Sequence, residues 1–434
     1  MILKNHFKPI SISLSPNVEP DDIGLVLKLI FSFWKWKKPA CRQAGENAIR
    51  ILEDEFKKYI GVKYAFSFNS GRSALYAILK TLNLPQKTEV LLQAFTCNAA
   101  VNPVLWNNLN PIYVDCDENS FNMDIDDLNK KVKSLLHAQG RVLMVQHTFG
   151  LPANMEEVLS IVRQNGLVLI EDCAHALGAQ YQNRKVGTFG KAGFFSFSRD
   201  KVISSVYGGM AVTNDDEIGE RLCRAQADFG MPNRFWILQQ LLHPILLKFI
   251  ILPIYNFLDL GKIFLVLSQW LHILSKAVHY KEKRGDRPDY FPKALPNALC
   301  IMAHSQFNKL EKFNAHRKII SDFYYKELQN TRFILPEPFD ETQGKKNIFL
   351  RFAVKHPKAH QIIYDAWHKE NILLGDWYTT PIAPADTKLD KMLYKIGSCR
   401  NAEKLSKTTL NLPTHINISM KDAQRIIDFL KKWK

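Results

Sequence analysis

The stretch IEDCAHALGAQYQNRKVGTFGKAGFFSFSRDKVISSVYGGMAVTN, Ile170 to Asn214, decides how the chain is read. An apolar run, Leu167 to Ile170, leads into two acids, Glu171 and Asp172. A short apolar run bounded by small turn residues reads as a buried strand. An aromatic strand follows from Gly193 to Ser198, and Lys201 stands just beyond it. The Gly208–Gly209 pair and a short strand, Met210 to Thr213, close the stretch. Open α/β sheets hold ligands at the carboxyl ends of their strands. An acid at one strand end and a lysine past the next therefore reach one crevice. A lysine able to form a Schiff base, with a carboxylate to keep a pyridine nitrogen protonated, is what pyridoxal 5'-phosphate requires.

The motif order is more specific than either residue. EDCAHALGA runs from Glu171 to Ala179; Gly187, Gly190 and Gly193 follow, then Ser196, Phe197 and Lys201, then the glycine pair. A lone Asp or Lys is usually a solvated surface charge. The ordered set resembles the DegT/DnrJ/EryC1/StrS family of pyridoxal phosphate-dependent sugar aminotransferases. That resemblance implies an α/β, fold type I transferase: a mostly parallel sheet between helices, with a smaller C-terminal α+β domain. It implies that Lys201 and Asp172 are catalytic and hold the cofactor. His175 would contact the hydroxyl side of the ring, and Ser196 would bind the phosphate.

Upstream, the strand Tyr64 to Phe68 breaks at Asn69-Ser70-Gly71-Arg72-Ser73-Ala74-Leu75. A strand turning into a helix at Ser-Gly presents N–H groups to an anion. The resemblance places Gly71, Arg72 and Ser73 at the cofactor phosphate, with Arg72 where threonine is commoner. Between the two motifs strands and helices alternate: strands 89–93, 111–115, 142–147 and 167–171, helices near 98–107, 124–136 and 155–164. Such alternation argues for a parallel sheet covered on both faces.

Several positions admit two readings. Cys97 falls where family members commonly stack a side chain on the pyridine ring; a cysteine there is a cofactor neighbour or a packing residue. His147 ends its strand in QHTFG and is a substrate contact or a satisfied core histidine. Trp377 and Tyr378 stack on a substrate base or sugar, or pack. A family asparagine and arginine that reach a neighbouring subunit's phosphate fall on Pro292 and Ala294, with Lys293 between them.

The remaining C-terminal residues read as strand 347–354, helix 358–370, strand 371–377 and a final helix, 419–433. The expected division is 1–230 for the N-terminal segment and large domain, 231–290 for an apolar helical insertion, and 291–434 for a linking helix and small domain.

The insertion runs from Phe235 to Arg287 and is rich in Leu, Ile, Phe and Trp. Pro244 and Pro253 are expected to break it into short helical pieces. Lys248, Asp259 and Lys262 interrupt it, so no uncharged run reaches the roughly 18–20 residues that span a bilayer. Residues 23–38 share its composition, with Trp34 and Trp36 among Lys35, Lys37 and Lys38. Such segments lie in a lipid interface, or pack on the protein or a partner subunit. Contact through 235–275 and 23–38 would make the protein peripheral on the inner face of a membrane.

Net charge is +16, from 58 Lys plus Arg and 42 Asp plus Glu. It fits phosphorylated ligands or an anionic surface, and the chain carries no nucleic-acid-binding motif. Seven scattered cysteines, without a C-x-x-C, point to a reducing compartment with neither disulfide framework nor metal site. No signal peptide is read, so the expected location is cytoplasmic. The expected activity is transfer of an amino group, with glutamate as donor, to a nucleotide-linked keto sugar in surface polysaccharide or glycoconjugate synthesis, by a homodimer. A membrane-surface enzyme acting on a lipid-linked sugar, and a non-catalytic cofactor-binding regulator, are the alternatives.

Overall fold

A computed structural model describes residues 8–37, 47–134, 141–336 and 344–433. Lys38, one of the seven cysteines (Cys41) and positions 135–136 of the helix expected near 124–136 lie outside the described residues. At the centre is a seven-stranded sheet. Its spatial order is Tyr64–Phe68, Gly209–Thr213, Ala192–Ser196, Val168–Asp172, Val142–Gln146, Glu89–Gln93 and Asn110–Val114. Only Gly209–Thr213 runs against its neighbours; the other pairings are parallel. This is the expected α/β architecture of fold type I transferases.

Strand alternation builds the core on both faces. Val90, Leu92, Met144 and Ile170 are buried in one apolar layer, and Leu91, Leu143, Val145 and Leu169 in the other. Each such side chain contributes about 1.5–3 kcal/mol of burial free energy. Helices Gly71–Thr81, Asn98–Trp106, Ile125–Ser134 and Met155–Asn165 connect the strands, and Asp216–Phe229 follows the last of them. Register pairs Asp172 with Gln146 on one side, and Phe194 with Asp172 on the other. Gln146, Asp172 and Ser196 thus end their strands along one edge of the sheet.

In the C-terminal part, Arg351–Lys355 pairs antiparallel with Thr409–Pro413 beside helices Ala359–Glu370, Arg400–Thr408 and Met420–Leu430. Two expected strands are shorter than read. The first starts only at Arg351, because the N–H groups of Ile348 and Leu350 donate to Gly150 and Phe149 carbonyls (3.0 and 2.8 Å). In place of strand 371–377 only Ile372–Leu373 forms, parallel to Ile10–Ser11. Gly375 instead exchanges backbone hydrogen bonds with Asn411, and the Trp377 N–H donates to Asn411 Oδ1 at 3.0 Å. Those bonds turn the chain toward the sheet's ligand edge.

The insertion departs from expectation at Pro244. Helix Arg234–Leu246 passes through it into a wide turn, Leu247–Ile251. Pro244 sits in the last turn, and the ladder widens after it: the Leu252 N–H reaches back five residues to Leu247 O at 2.9 Å. The helix ends before Pro253, and a second one spans Leu260–Trp270. The N-terminal helix, Pro20–Phe31, packs against Arg234–Leu246 and gives way to a short 3-10 turn, Phe33–Lys35. Among the described residues no helix is long and apolar enough to cross a membrane.

Candidate active site

Strand ends, one helix start and the last part of the insertion enclose a cavity of about 490 Å³. Asp172, Ser196 and Gln146 stand on its wall at the strand ends, with Gly71 at the start of its helix. Gly209 brings that helix start close. A Cβ on Gly209 would lie 2.4 Å from the Gly71 nitrogen, so no larger residue fits. Ser70 caps the helix, its hydroxyl accepting from the Ser73 N–H at 3.0 Å.

Lys201 lies on the cavity wall, with its Nζ 4.8 Å from the centroid of the Trp377 ring. Among the described residues no hydrogen bond or ion pair engages that amine. Burial lowers its pKa from 10.5 to about 8, against the pull of Cys97 and Asp172. Asp172 accepts the Ala174 N–H at 2.9 Å. Burial raises its carboxyl above the usual range, although that hydrogen bond and Lys201 oppose the shift.

His175 is stacked on Trp377, with ring centroids 5.0 Å apart and planes 15° apart. Its Nδ1 accepts the Phe149 N–H at 3.3 Å, and its Nε2 faces the Tyr378 hydroxyl at 3.4 Å. Burial, with Lys201 and Arg351 nearby, holds its pKa well below 6.5. The ring is therefore neutral, with its proton on Nε2. Tyr378 is buried against Phe95 and Phe149 while still touching the cavity.

Cys97 is on the wall, its thiol pKa raised by burial. Ser73 stands behind the wall, donating to Asn69 Oδ1 at 2.7 Å. Arg72 reaches the cavity but is ion-paired with Glu282, donates to Ala277 O at 3.1 Å, and lies 4.7 Å from the Phe291 ring centroid. Its charge is therefore matched within the chain. Lys293 donates its amine to Phe229 O at 3.0 Å, outside the cavity lining.

His147 is fully buried behind the wall. Its Nδ1 accepts the Ala153 N–H at 3.1 Å, so Nε2 donates to Glu171 at 3.2 Å. Glu171 also accepts the N–H groups of Gly187, Phe189 and Gly190 at 2.6–2.8 Å. His147, Glu171 and Cys173 bring possible ligand atoms within 4.8 Å of one another. The carboxylate there is committed to four donors, which anchor the glycine loop to the sheet.

Among the residues at the site that the sequence motifs do not single out, Arg199, Arg351 and Glu282 bear most on its charge. Arg199, on the wall, donates to Ser275 Oγ at 2.6 Å, while its buried Nε has no partner among the described residues. Its signal was its place two residues before Lys201. Arg351 lies 3.3 Å from the Trp377 ring centroid and 3.9 Å from Asp200. Glu282, within the insertion, offered no local signal.

The donor set fits pyridoxal phosphate. A buried amine with no hydrogen bond or ion pair among the described residues, a carboxylate needing a cation, a helix start with unpaired N–H groups and the underused Arg199 line one cavity.

A model of the DegT/DnrJ/EryC1/StrS aminotransferase family matches residues 39–241 and 291–431, leaving most of the insertion outside. An uncharacterized protein of Methanocaldococcus jannaschii is 32% identical over 207 residues, 48% of this chain and 50% of that protein. The chain therefore spans about half that relative's length. GDP-perosamine synthase of Caulobacter vibrioides is 36% identical over 417 residues, 95% of each chain. The crystal structure of the aminotransferase TlmJ from Streptoalloteichus hindustanus superposes with a TM-score of 0.72 at 20% identity, covering 98% of both chains. Motifs, sheet, cavity and matched residues agree: the chain belongs to the DegT/DnrJ/EryC1/StrS aminotransferase family.

Proposed function

We propose that this protein transfers an amino group from glutamate to a nucleotide-linked keto sugar, for the synthesis of a surface polysaccharide or glycoconjugate. The observation that carries the reading is the pairing of Lys201 with Asp172 on one enclosed wall. Support for the acceptor comes from the Caulobacter relative, which is named for a GDP-linked amino sugar.

Bound pyridoxal phosphate would supply an electron sink for the charge that develops at the donor's α-carbon. Lys201 would hold the cofactor covalently and, once displaced by the donor, move the proton at that carbon. A pKa near 8 leaves enough neutral amine near neutral pH for this work. Asp172 would hold a positive charge on the ring nitrogen. His175, neutral and braced by Trp377, would donate from Nε2. The Gly71 helix start, Ser196 and Arg199 would receive the phosphate; Arg72, already matched by Glu282, would shape the cup instead. Trp377 would bear on the sugar, and His147 would position the Glu171-anchored loop. We place the enzyme in the cytoplasm as a homodimer, on the resemblance alone.

The test is to add L-glutamate to the cofactor-loaded protein and measure 2-oxoglutarate and the cofactor's colour. Stoichiometric 2-oxoglutarate with bleaching is expected, followed by amination of a nucleotide-linked keto sugar read by mass spectrometry. No 2-oxoglutarate would rule out glutamate as donor. Amination of free sugars alone would rule out the nucleotide-linked acceptor.

A further inference from the structure

Helix Leu260–Trp270 is inside out. It buries Gly261 and Ser268 and exposes Ile263, Val266, Leu267 and Trp270, the last 73% accessible. Leu258, just before it, is 78% accessible. The neighbouring helix carries a stripe, Phe235, Leu238, Leu242, Ile245 and Phe249, at the three- and four-residue spacing of one helical face, none of it fully buried. At that stripe's start lies the N-terminal segment, where Phe31 (76%), Phe33 and Trp34 are exposed and the Arg234 guanidinium lies 6.0 Å from the Phe33 ring centroid. Helix Leu260–Trp270 packs on Leu247–Ile251 at its other end. The elements that bear these exposed side chains therefore adjoin in series, as one ridge. Solvent-facing apolar surface of this extent marks a docking face.

We propose that this ridge, residues 23–37 and 234–273, docks in one leaflet of an anionic phospholipid bilayer. Charge selects that occupant. The ridge and its edge carry Lys28, Lys35, Lys37, Arg234, Lys248, Lys262 and Lys276. Asp259 is the sole acid within these segments, and Lys262 pairs with it at 2.7 Å. Lysines beside tryptophans at the border of an apolar face suit the headgroup layer. A second copy of the chain fits poorly, because a two-fold contact would set this cationic face against itself. No described helix is both long and apolar enough to span, so the contact is interfacial.

The docking face also leads to the cavity. From exposed Trp270, Leu271 and Ile273 the chain passes to Ser275, which accepts from Arg199, and then to Ala277 and Val278 on the cavity wall. A docked ridge would hold that wall and the catalytic mouth near the lipid surface. Docking of this ridge depends on surface chemistry and not on the proposed reaction.

The test is flotation of the cofactor-loaded protein with vesicles of phosphatidylcholine, alone or mixed with phosphatidylglycerol. The protein is expected to float with the mixed vesicles, and less with phosphatidylcholine alone. Val266→Glu with Trp270→Glu should reduce flotation at least about tenfold, whereas Ile396→Glu, at an exposed site outside these segments, should not. All three proteins should keep the same far-UV circular dichroism. Absence of wild-type flotation, or equal flotation by the ridge variant, would overturn the proposal. So would a ridge variant that halves the mass measured by light scattering, which would make the ridge a subunit contact.

Discussion

Arg72 and Glu282 form a buried ion pair across 210 residues of chain, joining the start of the cavity helix to the end of the insertion. Asn98 and Asn102 hold the Glu282 carbonyl at 3.3 and 3.0 Å, and Trp106 donates to Gly285 O at 2.9 Å. The insertion's end is thereby built into the body of the protein.

Removing one partner of such a pair strands a buried charge. Glu282→Gln and Arg72→Met should each destabilise the fold by about 3–5 kcal/mol. The double variant Arg72→Met/Glu282→Gln should lose markedly less than the sum. Urea unfolding of the three variants checks this, and strict additivity would mean that the pair is uncoupled.

Glu171 should matter as much as Lys201 and Asp172, but for stability. Glu171→Ala leaves the buried N–H groups of Gly187, Phe189 and Gly190 unpaired. At about 1–3 kcal/mol for each stranded donor, a loss above about 3 kcal/mol is expected in denaturant unfolding. Glu171→Gln should retain part of it, because its amide oxygen still accepts.

Lys201 should titrate apart from the surface lysines. Burial disfavours its charged form, so the neutral, reactive amine appears above about pH 8 instead of 10.5. In cofactor-free protein, acylation of Lys201 should therefore rise through about pH 8. Exposed lysines should rise some two units later. Peptide mass spectrometry across that range reads both, and coincident profiles would contradict the site's electrostatics.

The large sheet and the Asp172–Lys201 pair were legible because both rest on local pattern. Strand–helix alternation and the acid ending a strand are written within a few residues of each other. What was not legible depends on distant partners. Asn411 limits the segment before Trp377 to a single bridge at Gly375, and Glu282 takes Arg72's charge. Pro244 was read as a breaker, yet the wide turn after it lets the helix continue. The burial of His147 behind the wall follows from Ala153 and Glu171.

Asp172→Asn should keep the fold, since its amide oxygen can still accept the Ala174 N–H. Without the charge opposite the ring nitrogen, turnover should fall about 10²-fold or more, as measured by 2-oxoglutarate release. Activity within a few-fold of wild type would remove Asp172 from the chemistry.

The most direct test of the account is borohydride reduction of the protein loaded with pyridoxal phosphate, followed by peptide mapping. The account predicts one pyridoxyl adduct, on Lys201, and none in Lys201→Ala. An adduct mainly on another lysine, or no adduct in a protein that retains its fold, would contradict it.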